Sequence, residues 1–332
     1  MSESFRIIGS ELSPYSVKVR SWFRYKNIEH EWIPRTPACE DLFQKYARLP
    51  LVPVVITPED KGMQDSTPTI ERLEAQFPDP SVIPDDPTLA FVSALLEEYG
   101  DEWGNKWMFH YRWWRDADQI SAAKRLSSAF VPEDADDETR NTAADMIRAR
   151  MKDRVWFVGS SEKTKDQIEH SFTRTIEMLD THLATRSYLL GGRPAMADFG
   201  LYAQLYECLT DPTAGAILQE RTANVVPWIE RMLDPDDEGD FEQWSVLAPT
   251  LEPLLVADVG RLFLPWSISN AKAIAENAEE FTVDLDGKLW TQKPQKYHAR
   301  SLLVLREKYR AQADNSVLRT LLESVGCLDA ML

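Results

Sequence analysis

The stretch ELSPYSVKVR, Glu11 to Arg20, sets a hydroxyl, a proline, an aromatic ring and a second hydroxyl at the mouth of a basic amphipathic segment, directly after the β-like run FRIIG. Ser13 suits a helix N-cap, because its Oγ can accept from an early backbone N–H. Pro14 suits the next position, because it has no N–H to leave unpaired. A helix N-terminus also gathers free N–H groups and partial positive charge, which favour an anion such as a thiolate. A dithiol redox motif would carry two cysteines at this spacing, and Ser13 and Ser16 are both serine. The site can stabilise a thiolate that belongs to a ligand, but it has no thiol of its own. Disulfide exchange through this motif is excluded.

Other reactive side chains give no competing chemistry. Cys39, Cys208 and Cys327 are far apart and odd in number, with no CxxC pair, so neither a disulfide framework nor a zinc site is suggested. The five histidines show no HExxH or other metal spacing, and no metal is expected. Four of the eleven tryptophans crowd into WGNKWMFHYRWW, Trp103 to Trp114. Trp103, Trp107 and His110, together with Tyr15, could form an apolar wall for a planar ligand. Their other reading is core packing or a dimer face, the usual fate of helical aromatics.

The elements that must position these groups fall into three stretches. Up to about residue 80, strands at Phe5–Gly9, His30–Arg35, Val52–Ile56 and near Met63 alternate with helices at Tyr15–Lys26, Asp41–Ala47 and Thr67–Gln76. The order βαβ–ββα points to a small α/β layer. The proline-rich PDPSVIPDDP marks a boundary, and residues 88–238 read as almost wholly helical. Residues 239–332 form an extension: a helix interrupted near Pro265, a hairpin over Phe281–Gln292 turning at Asp286-Gly287, then helices at Tyr297–Gln312 and Ser316–Val325. The formal charge of −17 argues against nucleic acid and anionic lipid as partners. With no signal-like start and no apolar run of membrane-spanning length, a cytoplasmic protein is expected.

Three features in this order, SPYSVKVR, the Val52-Pro53 pair and Asp65-Ser66 within DSTPTIERLE, resemble the glutathione S-transferase superfamily, and most of all its serine-type and bacterial members. RPAMADFGLYAQL, Arg193 to Leu205, resembles the folding motif of the family's second domain, with Asp198 bonding locally at a buried helix start. The resemblance covers roughly residues 5 to 235. It implies a thioredoxin-like glutathione-binding domain over 1–80 and an all-α domain over 88–238; residues 239–332 go beyond the family's usual length, and RLFLPW and LLVLREKY carry enough apolar surface to pack on the helical domain. It implies that Ser13 donates to the glutathione thiolate and that Val52 pairs by its backbone with the ligand beside a cis Pro53. It further implies that Ser66 holds the γ-glutamyl carboxylate and that Asp65 meets the ammonium group. Glutathione would be co-substrate to a small apolar or aromatic electrophile, and the protein a homodimer. Many relatives carry a lysine where this chain has Leu51, leaving Arg48 or Lys45 as possible substitutes. The alternative is a non-catalytic binding or interaction protein on the same fold.

Overall fold

The computed structural model describes residues 4–132 and 134–332. Strand β1 (Phe5–Gly9) runs through helix α1 (Pro14–Tyr25) into β2 (His30–Pro34), parallel to β1 with Phe5 opposite His30. Helix α2 (Glu40–Tyr46) leads to β3 (Val54–Ile56), antiparallel to β1, and then to β4 (Gly62–Gln64) and α3 (Ser66–Glu74). The sheet order is β2-β1-β3-β4. Alternate residues feed opposite faces, as the period of a strand requires. Ile7 and Val55 join the large core with Val17 and Ile70, whereas Ile8, Val54 and Ile56 pack with Phe43 of α2. This is the expected thioredoxin-like layer.

The helical region follows as α4 (Pro87–Tyr99), α5 (Asn105–Trp114), α6 (Asp116–Ser127), α7 (Asp137–Lys152), α8 (Lys165–Leu183), α9 (Met196–Thr210), α10 (Pro212–Arg221) and α11 (Val225–Arg231). Sequence periodicity places helices near Thr88–Gly104, Asp137–Trp156, Ser161–Thr185, Ala197–Cys208 and Val226–Met232, and so omits α5, α6 and α10. Helix α5 is buried over most of its length, α6 buries chiefly small or polar side chains and α10 only Ala214, Gly215 and Leu218, so none shows a strong apolar stripe. Helices α4 and α9 cross closely enough that a Cβ on Gly200 would lie 2.8 Å from the Glu97 carbonyl oxygen. Asp198 is fully buried at the start of α9 and accepts from the N–H groups of Leu189 (2.8 Å) and Ala195 (2.9 Å) and from Trp228 Nε1 (3.0 Å). Its bonding therefore reaches α11 as well as the local turn.

The extension comprises α12 (Trp244–Leu254), α13 (Leu264–Ala275), the hairpin β5 (Phe281–Leu285) and β6 (Lys288–Gln292), α14 (Ala299–Arg310), α15 (Ser316–Ser324) and α16 (Leu328–Met331). No interruption occurs at Pro265. The chain stays helical through a π segment, Leu255–Phe263, in which the Leu264 N–H reaches back five residues to Val259. The wider turn absorbs the proline that would break a regular α-helix. Helix α14 starts two residues later than expected, so Tyr297 lies in a 3₁₀ turn, Lys296–His298.

The tryptophan cluster is where the extension meets the helical region. Trp103 and Trp107 are buried, and both indole N–H groups donate to Ser171 Oγ (2.8 and 3.1 Å). Ser171 in turn donates to the buried Asp258 of the extension at 2.9 Å. Trp103 packs against Trp266 and Trp290 of the extension. Among the described residues, no helix is long and apolar enough to cross a membrane.

Candidate active site

A cavity of about 310 Å³ opens between the α/β layer, the helical region and the extension. Its first side is built by the segment before β3 and the start of α3: Arg48, Leu51, Val52, Pro53, Asp65 and Ser66. The Val52–Pro53 bond is cis. Neither the N–H nor the C=O of Val52 has a hydrogen-bond partner among the described residues, so an extended ligand can pair with both. Gln64 holds this edge open. Its Oε1 accepts from the N–H groups of Arg48 (2.9 Å) and Leu49 (3.0 Å), and its Nε2 donates to the carbonyls of Leu49 (2.8 Å) and Leu51 (2.6 Å). Sequence reasoning missed Gln64, because nothing local distinguishes a strand-end glutamine that satisfies a loop 13 to 16 residues away.

Helix α3 begins at Ser66, and the sequence Ser66-Thr67-Pro68 shapes its N-terminus. Pro68 contributes no N–H, and the Asp65 side chain caps nothing in the helix. Ser66 is buried, lines the cavity, and its hydroxyl has no partner among the described residues. Hydroxyl and helix N–H groups together make an anion cradle. Asp65 adopts φ 81°, a left-handed conformation costing of order 1–3 kcal/mol for a residue with a Cβ. Burial raises its pKa, with Lys18 pulling it back. Arg48 forms no ion pair among the described residues and reaches the lining, whereas Lys45 is held by Asp60 at 2.9 Å. Of the two candidate substitutes for the missing lysine, the structure brings only Arg48 to the cavity.

The floor carries a buried ion network. The Lys18 ammonium meets Glu97, Asp101 Oδ2 (2.6 Å) and Thr67 Oγ1 (2.9 Å). Glu98 is pushed up to about 8 by burial and by neighbouring Glu97. Burial pushes Asp101 up to about 7, against the pull of Lys18.

The remaining candidates separate. Ser13 caps α1, its Oγ accepting from the Ser16 N–H at 3.3 Å, and it stands outside the cavity lining. Its turn is fixed by Arg112, which donates to the Leu12 carbonyl at 3.0 Å while paired with Glu207 (2.7 Å) and Asp211 (2.9 Å). Tyr15 does line the cavity, but its hydroxyl donates to the Asp101 carbonyl (3.0 Å) and accepts from Asn105 Nδ2 (2.6 Å). Trp103, Trp107 and His110 are not cavity walls. The indoles are core, for the reason given above, and His110 is fully buried between Ser160 Oγ (2.8 Å) and Glu169 Oε1 (3.0 Å), stacked on Trp114. Cys39 is buried, its thiol directed at the Thr36 carbonyl.

A mixed four-stranded layer with a cis-proline beside its ligand edge, joined to a helical array, defines a thioredoxin-like, transferase-type architecture. Residues 7–81 match the glutathione S-transferase N-terminal domain family and residues 162–231 the glutathione S-transferase C-terminal domain family. The chain belongs to the glutathione S-transferase superfamily. Among curated proteins, none matches the chain. Among solved structures it is similar to the β-etherase LigF from Sphingobium sp. strain SYK-6, at 18% identity over 69% of this chain and 94% of that one, with a TM-score of 0.49. It is also similar to the tau class glutathione S-transferase MiGSTU from mango (Mangifera indica), at 18% identity over 76% and 100%, TM-score 0.45. A third is a glutathione S-transferase from Methylobacillus flagellatus KT with glutathione bound, at 16% identity over 69% and 95%, TM-score 0.41.

Proposed function

We propose that the protein binds glutathione on the Arg48–Ser66 side of the cavity and acts as a glutathione transferase-like enzyme. One observation carries the reading: an unpaired backbone at Val52 beside a cis Pro53, a buried free hydroxyl on Ser66 at a helix N-terminus, and an unpaired Arg48 all converge on one cavity. These groups suit a tripeptide with a central backbone to pair and a carboxylate at each end. Val52 pairs with the cysteinyl unit, Ser66 takes the γ-glutamyl carboxylate, Asp65 the ammonium, and Arg48 the glycyl carboxylate. A free thiol with a pKa of about 8.5 is mostly protonated near neutral pH. Ser13, at the start of α1, donates a hydrogen bond that favours the thiolate. The sulfur attacks an electrophilic carbon of a small apolar or aromatic compound. A carbon–sulfur bond forms, the bond to the leaving group breaks, and the thiol proton passes to solvent. The protein works as a homodimer in the cytoplasm.

The position of Ser13 outside the lining supports a second reading, a non-catalytic binding protein on this fold. Two measurements separate them. Titration calorimetry with glutathione should give saturable heat, and Ser13→Ala should lower turnover by about 10²-fold or more while the melting temperature falls only by the few degrees that loss of the α1 cap bond costs. Saturable glutathione binding with no Ser13-dependent turnover favours the second reading, and no heat at millimolar glutathione sinks the first.

A further inference from the structure

A second cleft, of about 170 Å³, opens on the α/β layer where β4 meets α3, and it shares Arg48 and Gln64 with the cavity described above. Tyr46, Gly62, Thr69 and Arg72 form most of its remaining wall. Arg72 is exposed on α3, because its neighbours Ile70 and Leu73 turn the apolar face of that helix into the core. Arg48 is rooted in the loop before β3, where its N–H donates to Gln64 Oε1 at 2.9 Å, and its side chain lines both openings. Neither guanidinium has a hydrogen-bond or ion-pair partner among the described residues. Thr69 is 3% exposed, and its hydroxyl also lacks a partner among those residues. The nearby carboxylates are engaged elsewhere. Asp60, which accepts from Tyr46 Oη, is paired with Arg6 (3.3 Å) and Lys45 (2.9 Å). On α3, Glu71 pairs with Lys308 and Glu74 with Lys26, while Asp65 opens to the other cavity. In a chain of formal charge −17, this cleft gathers charge of the opposite sign.

We infer that this cleft binds a tetrahedral oxyanion of the phosphate class, held by Arg48 and Arg72 with the Thr69 hydroxyl as a third donor. A guanidinium stays charged across the physiological range and presents a planar fork of N–H groups. A tetrahedral anion can offer an oxygen pair to each fork and a further oxygen to the hydroxyl, whereas chloride has no pair to offer. The volume admits one such anion with a few waters, each taking about 30 Å³. Both arginines are exposed, so their contacts are screened and the affinity falls as salt rises. The site is separate from the glutathione reading and meets it only at Arg48, which that reading assigns to the glycyl carboxylate. One guanidinium then serves two openings, so phosphate and glutathione oppose each other.

The test uses the full-length chain, titrated with inorganic phosphate at constant ionic strength made up with sodium chloride. Arginine Nε–H signals in heteronuclear NMR spectra report binding, and Arg48→Gln and Arg72→Gln assign the two that matter. Both signals should shift saturably, with a dissociation constant on the order of 1 mM, the strength of a few exposed charged contacts. Each glutamine variant should weaken binding about tenfold and Thr69→Val about threefold. Arg150→Gln, at an exposed arginine on α7 with no ion pair among the described residues, should change nothing. Methyl phosphate is titrated in parallel, and the tighter of the two names free phosphate or a phosphomonoester as the source. The assignment is overturned if the shifts do not saturate, if chloride alone reproduces them, or if Arg72→Gln binds phosphate as wild type does. Sedimentation runs alongside: an Arg72→Gln chain that changes its oligomeric state but not its phosphate affinity gives the arginine to a subunit contact and overturns the site. Calorimetry with glutathione at saturating phosphate separates the two readings. Glutathione should bind several-fold more weakly than without phosphate in wild type and not in Arg72→Gln. A glutathione affinity indifferent to phosphate removes Arg48 from the glycyl carboxylate, and a silent glutathione titration removes the glutathione reading, while the saturable phosphate shifts uphold the oxyanion site in both cases.

Discussion

Lys18→Met tests the buried network that ties the cavity floor together. Lys18 is fully buried, and its ammonium is shared by Glu97, Asp101 and Thr67. Burial alone would lower its pKa, but Asp101 and Glu97 together raise it above the ordinary lysine value. Such a lysine contributes stability that is present below its unfolded value near 10.4 and lost only as pH rises through the folded value, so it adds no slope between pH 5 and 8. Methionine keeps the bulk and deletes the charge, leaving two buried carboxylates without a cation. Removing one partner of a buried ion pair costs about 3–5 kcal/mol. The variant has one escape, which is to hold a proton on a carboxyl group. That costs about 1.4 kcal/mol per pH unit above an unfolded value near 4, hence about 1.4 kcal/mol at pH 5 and about 5.5 at pH 8. The expected loss is thus about 3–5 kcal/mol at pH 8 and about 1–2 at pH 5. Asp101, already at about 7, takes up a proton in this range in wild type as well, so variant and wild type are compared at each pH. Guanidinium denaturation followed by far-UV circular dichroism reads the difference. An equal loss at both pH values, or a loss below about 1 kcal/mol at pH 8, would refute the reasoning.

Two further substitutions probe stability elsewhere. Asp198→Ala strands three buried donors, on Leu189, Ala195 and Trp228, each costing about 1–3 kcal/mol. A loss of at least about 3 kcal/mol is expected by the same denaturation, and a loss under about 1 would show that water replaces the carboxylate. Lys106 is buried with no carboxylate partner among the described residues, its Nζ 3.6 Å from the Trp266 ring centre and 3.3 Å from the Val158 carbonyl. A cation–π contact gives about 2 kcal/mol, less than the several kcal/mol that desolvating an ammonium costs, so burial wins and holds the pKa well below the usual lysine range. The unfolded chain then binds a proton that the folded one does not, and stability rises with pH toward about 10.4. Lys106→Met should raise the melting temperature at pH 7 and flatten that rise, and a lower melting temperature at pH 7 would count against it.

What could be read without the fold was local chemistry and period. The Ser13-Pro14 cap, the βαβ–ββα order, the Val52-Pro53 edge and the Asp65-Ser66 helix start depend on neighbours a few residues apart, and each recurs in the structure as an element or a cap. The turn at Asp286-Gly287 is of the same kind. Tertiary structure decided what those local signals cannot carry. Tryptophans at helical spacing look alike whether they face a ligand or a second layer, and only the docking of Trp266 and Trp290 made Trp103 core. Gln64, Arg112 and Tyr297 act on the Leu49–Leu51 edge, the Leu12 carbonyl and the cavity through contacts spanning 13 to over 200 positions. No window of sequence brings such residues together. Packing of the extension against the helical region does so, and with it brings Tyr297 and Phe157 to the same cavity as Val52 and Ser66.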